Sequence, residues 1–281
     1  MKSLTNKLII YDSNCKVCSS LKDVVSRFTS IPDNKIKAYK DLSTDLSFQI
    51  DPDKFKNVMA LIDTSGEQTL YGAEGVAYIF SSQYKTVDIL LSFGPIFKLF
   101  NLFYKTQAYN RYIIATPKSR FQCDCFPDRV VKYRVSYIVF TSLISVLLTG
   151  LFGISLRKFF VDISASEAAG QMLLIAGTGW VVQIILAFAL MKDKALDYVG
   201  HLGSIMVVGL LILMPWILFY FISRIQIAFI PAISVLMSSA CMLSLHFQRI
   251  KYLGLKQLWT ISWFLLLQFT AFFWIYYFHL K

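Results

Sequence analysis

Charge is scarce in the second half of this 281-residue chain. Residues 135–281 hold only 9 of the 28 Lys and Arg and 4 of the 17 Asp and Glu, too few ionised groups to clothe a water-soluble domain. Although the net charge is +11, no long Lys/Arg block is present, which excludes the usual electrostatic grip on nucleic acid. Positive charge beside apolar stretches is better explained by anionic lipid and by topology. Near the N-terminus the apolar run is only Leu8-Ile9-Ile10 before Tyr11 and Asp12, too short for a signal peptide, so the first region is expected to remain in the cytosol. Cysteine is sparse too. The five are Cys15, Cys18, Cys123, Cys125 and Cys241, and an odd number in close pairs excludes a secreted disulfide framework, pointing instead to reactive thiols or metal.

What is abundant is apolar length. The chain is 56% hydrophobic with a mean hydropathy of +0.55. Five stretches reach the ~20 residues that cross a hydrocarbon core, at about 135–156, 170–191, 202–223, 225–247 and 258–279. The third and fourth are separated by little more than Arg224, which predicts a tight helical hairpin. Pro215 and Pro231 fall inside spans and are expected to kink them. Trp259, Tyr276 and Tyr277 are placed to anchor the last span at interfaces. Lys118, Arg120, Arg129, Lys132, Arg134, Lys192, Lys194, Arg249, Lys251 and Lys256 flank one side; Arg157, Lys158, Arg224 and Lys281 flank the other. The positive-inside rule then puts the N-terminal region in the cytoplasm and the C-terminus outside a cell (inner) membrane. Gln183 and Gln268 within spans are expected to bond across helices, and Gly170, Gly177, Gly179, Gly200, Gly203 and Gly209 to form close-packing faces. His201 and His246 fall at the predicted cytoplasmic ends of their spans, where they read as interfacial polar residues or as ligands of a haem or quinone.

The first 130 residues read differently. "KLIIYD" at 7–12 and "KIKAYKDL" at 35–42 read as strands, and "VMALIDTSGEQTLYG" at 58–72 as a hairpin turning at Ser65-Gly66. Cys18, Leu21, Val24, Val25 and Phe28 recur at helical spacing. Strand, helix, strand, short helix, hairpin and helix is a thioredoxin-like order. In it "YDSNCKVCSS" places Cys15 at a strand-to-helix turn, where free amides and the helix dipole favour a thiolate. Cys15 is the expected nucleophile, and Cys18, one turn deeper, the resolving thiol. Asp12 reads either as a proton acceptor for the buried thiol or as a cap of the turn. Residues 87–104, "VDILLSFGPIFKLFNLFY", carry Pro95 and Lys98 and are expected to form one or two helices packed on this domain or lying in the interface.

These residues carry a resemblance. "YDSNCKVC" resembles the Tyr-Asp-Gly-x-Cys-x-x-Cys start of the DCC family of thioredoxin-like proteins, with Ser13 in place of the Gly. The hairpin "ALIDTSGEQTLYG", the helix "GAEGVAYIF" and the closing "YNRYIIATPKSRFQCDCFP" are similar to that family's later segments. The resemblance covers about residues 7–130 and implies a thiol-disulfide oxidoreductase acting through Cys15 and Cys18. The segment "FKNVMALID" has no Pro where a thioredoxin places its peptide-clamping one.

The second pair, Cys123 and Cys125 in "QCDCF", sits shortly before the first span. It reads as incidental thiols, as a dithiol relay for the first pair, or, with Cys15 and Cys18, as four thiolates for zinc. No other cofactor is expected. Cys241 stands alone in span four as a small apolar residue. The expectation is thus an α/β thioredoxin-like domain over 1–130 followed by an all-α transmembrane bundle of about five helices over 131–281. The first domain carries out dithiol-disulfide exchange; the bundle sits in the lipid bilayer with an unknown protein partner or membrane complex. The alternative is a non-enzymatic membrane subunit whose DCC-like domain docks a partner or binds structural zinc.

Overall fold

The computed structural model describes residues 4–66, 68–117, 126–160, 163–225 and 227–279. Its strands are β1 (Lys7–Tyr11), β2 (Ile36–Ala38), β3 (Ala60–Asp63) and β4 (Leu70–Tyr71). Its helices are α1 (Lys16–Phe28), α2 (Thr44–Ser47), α3 (Pro52–Phe55), α4 (Ala73–Gln83), α5 (Lys85–Ser92), α6 (Gly94–Tyr109), α7 (Arg111–Ile114), α8 (Val131–Phe160), α9 (Ala165–Leu190), α10 (Ala195–Ser223), α11 (Phe229–Tyr252) and α12 (Leu258–His279). The chain divides into two compact units, Met1–Tyr137 and Ile138–Lys281. The division falls past the expected 130/131 because the start of α8 is bonded into the first unit: Arg134 Nη1 donates to Asn110 Oδ1 at 2.7 Å, and Asn110 Nδ2 donates to the Tyr133 carbonyl at 2.9 Å.

In the first unit the four strands form one mixed sheet in the order β2-β1-β3-β4. β1 runs parallel to β2, with Ile9 opposite Ile36, and antiparallel to β3, with Leu8 opposite Ile62; β4 closes the hairpin antiparallel to β3. Successive side chains of a strand point to opposite faces, so a continuous apolar run implies burial on both. That is the arrangement here. Ile9 and Leu61 pack with Val25, Val76 and Ile79 on one face, while Ile10, Ala60 and Ile62 pack with Ile50 and Phe55 on the other. At the sheet end Lys7 and Asp63 form a buried ion pair, and Ser65 also donates to Asp63. Of the expected face of α1, Val25 is fully buried and Leu21 packs beside it, but Val24 and Phe28 are exposed at 42% and 54%. The apolar stretch 87–104 is a bent pair: α5 and α6 meet at 98°, and α6 opens with Pro95 in its first turn, where a missing N–H costs nothing. Ile89, Phe93, Leu99 and Phe103 on this pair are exposed.

The second unit is helical. Among the described residues five helices are long and apolar enough to cross a membrane, or six if the bent α5–α6 pair is counted as one span; this is a membrane protein by that measure. α9 packs most extensively on α12, and α10 on α11. Ser164 and Glu167 cap α9 with a reciprocal capping box. α10 continues through Pro215 and stops at Arg224, whose left-handed backbone (φ 59°) turns the chain toward α11, making the expected hairpin. Contrary to expectation, Pro231 does not sit where it would kink a span: α11 starts at Phe229, so this Pro occupies the first turn, where no intrahelical bond is lost. Small residues act unevenly. A side chain on Gly179 would collide with Leu267 and Thr270, and one on Gly203 with Thr141, whereas Gly170 and Gly177 face open space. Cross-helix hydrogen bonds add to this packing, with Trp216 Nε1 donating to Ser155 Oγ at 2.9 Å and Ser238 Oγ to the Gly209 carbonyl at 2.9 Å.

Candidate functional site

The turn between β1 and α1 is built by its own side chains. Cys15 caps α1 from an extended backbone (φ −93°, ψ 114°), and its Sγ accepts the N–H of Cys18 at 3.2 Å, satisfying one of the helix's free amides. Asp12 shapes the approach. Its carbonyl accepts the Cys15 N–H at 3.2 Å, and its Oδ1 accepts the Asn14 N–H at 2.9 Å, so it does cap the turn. Both Cys15 and Cys18 are free thiols.

A second element closes over this turn. α7 packs on α1 and brings Arg111 and Tyr112 to Asp12. Tyr112 OH donates to Asp12 Oδ2 at 3.2 Å, and Arg111 Nη2 lies 3.7 Å from the same oxygen. Arg111 is 3% exposed and Asp12 5%, so the pair is shielded from solvent and each charge depends on the other. Arg111 also donates to the carbonyls of Asn57 (3.1 Å) and Lys56 (2.8 Å). Asn57 and Asp128 exchange two hydrogen bonds, at 2.8 and 2.7 Å, and Phe126 packs edge-on against Tyr112 at 5.0 Å. Arg111 was visible in the sequence only as part of a resemblance segment. Its electrostatic role had no local signal, because a separation of 99 positions hides its meeting with Asp12.

Cys15 is 1% exposed as a residue, while Cys18 keeps part of its surface. Cys18 lines an apolar cavity of about 330 Å³ together with Tyr11, Leu21, Met59, Tyr104 and Arg111. The two thiols are electrostatically opposed. A hydrogen bond from the Cys18 thiol, and then the Arg111 charge, hold the Cys15 thiol below its ordinary value against burial and the Asp12 charge. The same bond, followed by burial, pushes the Cys18 thiol well up. One proton is thereby retained on Cys18 while Cys15 carries the charge. Removing the Cys18 thiol removes the largest influence lowering Cys15. In Cys18→Ala the pH midpoint for alkylation of Cys15 is therefore expected to move upward toward 9.0. Rates of iodoacetamide labelling against pH, resolved by peptide mass, check this; an unchanged or lower midpoint would refute it.

Cys123 and Cys125 lie outside the described residues, so the relay and zinc readings rest on the sequence. Among the described residues no group of three or more His, Cys, Asp or Glu could hold a metal ion.

The two span histidines are buried in the bundle: His201 is 2% exposed and His246 1%. His246 contacts Tyr198 OH through Nε2 at 3.0 Å and Thr260 Oγ1 through Nδ1 at 3.0 Å, and stacks on Trp263. Gln183 Nε2 donates to Tyr198 OH at 2.7 Å, so the Tyr198 proton is directed to His246 Nε2 and His246 Nδ1–H points to Thr260. Gln183 thus has the cross-helix role expected of it. His201 Nδ1 accepts from Arg249 Nη1 at 2.8 Å, which makes Arg249 a buried structural group as well as a flanking charge. Both ring nitrogens of His246 are engaged in hydrogen bonds.

No family model matches the chain, and neither a curated protein nor a solved structure matches it.

Proposed function

We propose that this chain is a membrane-anchored thiol-disulfide oxidoreductase whose dithiol is Cys15 and Cys18. The observation that carries the proposal is the Cys15 sulfur at the N-cap of α1, accepting the Cys18 N–H at 3.2 Å, with its thiol pKa lowered while that of Cys18 is raised. The sheet order β2-β1-β3-β4, with β1 and β2 parallel and the β3-β4 hairpin antiparallel, supports the thioredoxin-like fold. The DCC resemblance of "YDSNCKVC" supports the same chemistry. The basic flanks of the spans support a cytoplasmic first unit in a cell membrane, with the C-terminus outside.

The Cys15 thiolate attacks one sulfur of a substrate disulfide, forming a mixed disulfide and releasing the first substrate thiolate. The Cys18 thiol then gives up its proton and attacks Cys15 Sγ, closing the Cys15–Cys18 disulfide and releasing the second substrate thiolate. Two electrons pass from the dithiol to the substrate, and the reverse sequence oxidises a substrate dithiol. Asp12 and Arg111 position the turn and set its charge. Since Cys15 is 1% exposed, the substrate sulfur reaches it only when the structure around the turn opens. That burial favours a second reading, a non-enzymatic membrane subunit that docks a partner through this unit. Incubation of the Cys18→Ser full chain with an excess of a small disulfide separates the two. Exchange is expected to stop at a mixed disulfide on Cys15; a chain that takes up no adduct while folded supports the docking subunit.

A further inference from the structure

We infer that the helical unit holds one amphiphile with an anionic head, a carboxylate or a phosphate, with that head on Arg157 and its apolar chain inside the bundle. The site is a cavity of about 460 Å³ to which all five long helices contribute, within the range of small-ligand pockets. Its wall is mainly aliphatic and aromatic, including Phe152, Met172, Trp180 and Leu213. The ends of the wall on α8 are Thr149 and Arg157, eight residues apart on one helix and so about 12 Å, a length suited to an extended chain and not to a compact polar solute.

Two polar groups on this wall, Arg157 and Thr149, lack partners among the described residues. Arg157 makes no hydrogen bond or ion pair among the described residues, and its Nε is buried. A cation within a span is costly unless it is paired or reaches the interface, and this one lies in the last turn of α8, near the end of its candidate span. Thr149 is 3% exposed, lines the same cavity, and its hydroxyl has no partner among the described residues. Buried hydroxyls are nearly always satisfied, so an occupant with an acceptor or donor is indicated. Gln171 and Gln268 complete the polar wall. Gln268 was expected to bond across a helix interface; it faces this cavity instead. A single anionic amphiphile meets all of these demands: charge for Arg157, hydrogen-bonding capacity for the amides, and methylenes for the apolar wall.

Trp180 lines the cavity and supplies the readout. The full chain in a neutral maltoside detergent is titrated with a bromine-labelled fatty acid, its bromine-labelled methyl ester, and bromine-labelled anionic and zwitterionic phospholipids. Saturable quenching of tryptophan is expected from the acid or the anionic phospholipid, with at least tenfold weaker binding of the ester and the zwitterionic lipid. Saturation by the acid alone identifies a free fatty acid as the source, and saturation by the anionic phospholipid identifies a membrane lipid. Arg157→Gln is expected to weaken the anionic ligand about tenfold, in line with the loss of one charged hydrogen bond, while Arg157→Lys retains it. Equal quenching by charged and neutral forms, or full affinity in Arg157→Gln, overturns the proposal. Should Arg157→Gln not fold, the acid-against-ester comparison on the unaltered chain decides.

Discussion

Arg111→Met is expected to destabilise the first unit by about 3–5 kcal/mol, the usual cost of orphaning one member of a buried ion pair. It strips Asp12, 5% exposed, of its cation and leaves the carbonyls of Lys56 and Asn57 without their guanidinium donors. It is also expected to raise the Cys15 thiol pKa, because Arg111 is one of the groups lowering it. The sign follows directly: a positive neighbour favours the thiolate, so its loss favours the thiol and reduces the fraction reactive at neutral pH. Adding Asp12→Asn should restore part of both losses, since Asp12 opposes the thiolate and is itself the orphaned charge. Urea titration of the full chain in detergent, followed by thiol trapping of Cys15 across pH, reads both effects. An Arg111→Met protein with unchanged midpoint and unchanged pH profile would remove Arg111 from the site.

The second large effect is expected in the bundle. His246→Leu is expected to cost about 2–5 kcal/mol, because two buried polar partners, Tyr198 and Thr260, each lose a hydrogen bond at about 1–3 kcal/mol per orphaned group. The stacking of His246 on Trp263, at 4.5 Å between centroids and 4° between planes, is lost with it. Tyr198→Phe also takes a hydrogen bond from two groups, Gln183 and His246 Nε2, but should cost less because the stacking of His246 on Trp263 and its bond to Thr260 are kept. Thermal unfolding of the three proteins in one detergent gives the order unaltered chain, Tyr198→Phe, His246→Leu, from most to least stable. A His246→Leu protein as stable as the unaltered chain would show that the Gln183–Tyr198–His246–Thr260 chain is not holding α9, α10, α11 and α12 together.

Local pattern and tertiary placement divide what could be read in advance. The five long helices were legible because spanning a bilayer demands uninterrupted apolar length, and charge depletion after residue 134 marks where that begins. The β1 to α1 turn was legible because Leu8-Ile9-Ile10 followed by a Cys-x-x-Cys and a 3.6-residue repeat are all short-range signals. What stayed hidden was set by distant partners. Arg111 and Tyr112 on α7 meet Asp12 beside the Cys15 turn, and His201 bonds to Arg249, 48 residues on. Pro231 was misjudged for a smaller reason: the helix starts four residues later than hydropathy suggested, and that offset turns a helix breaker into a tolerated first-turn residue.

The most direct test of the dithiol proposal is a redox titration of the full chain in detergent against reduced and oxidised glutathione, with acid quenching, alkylation and peptide mass analysis of Cys15 and Cys18. The expected result is one cooperative two-electron transition in which both thiols disappear together into a Cys15–Cys18 disulfide, with a slope of about 30 mV per tenfold change in ratio. Thiols that remain free throughout, or that take up glutathione singly without forming the intramolecular disulfide, would contradict the account.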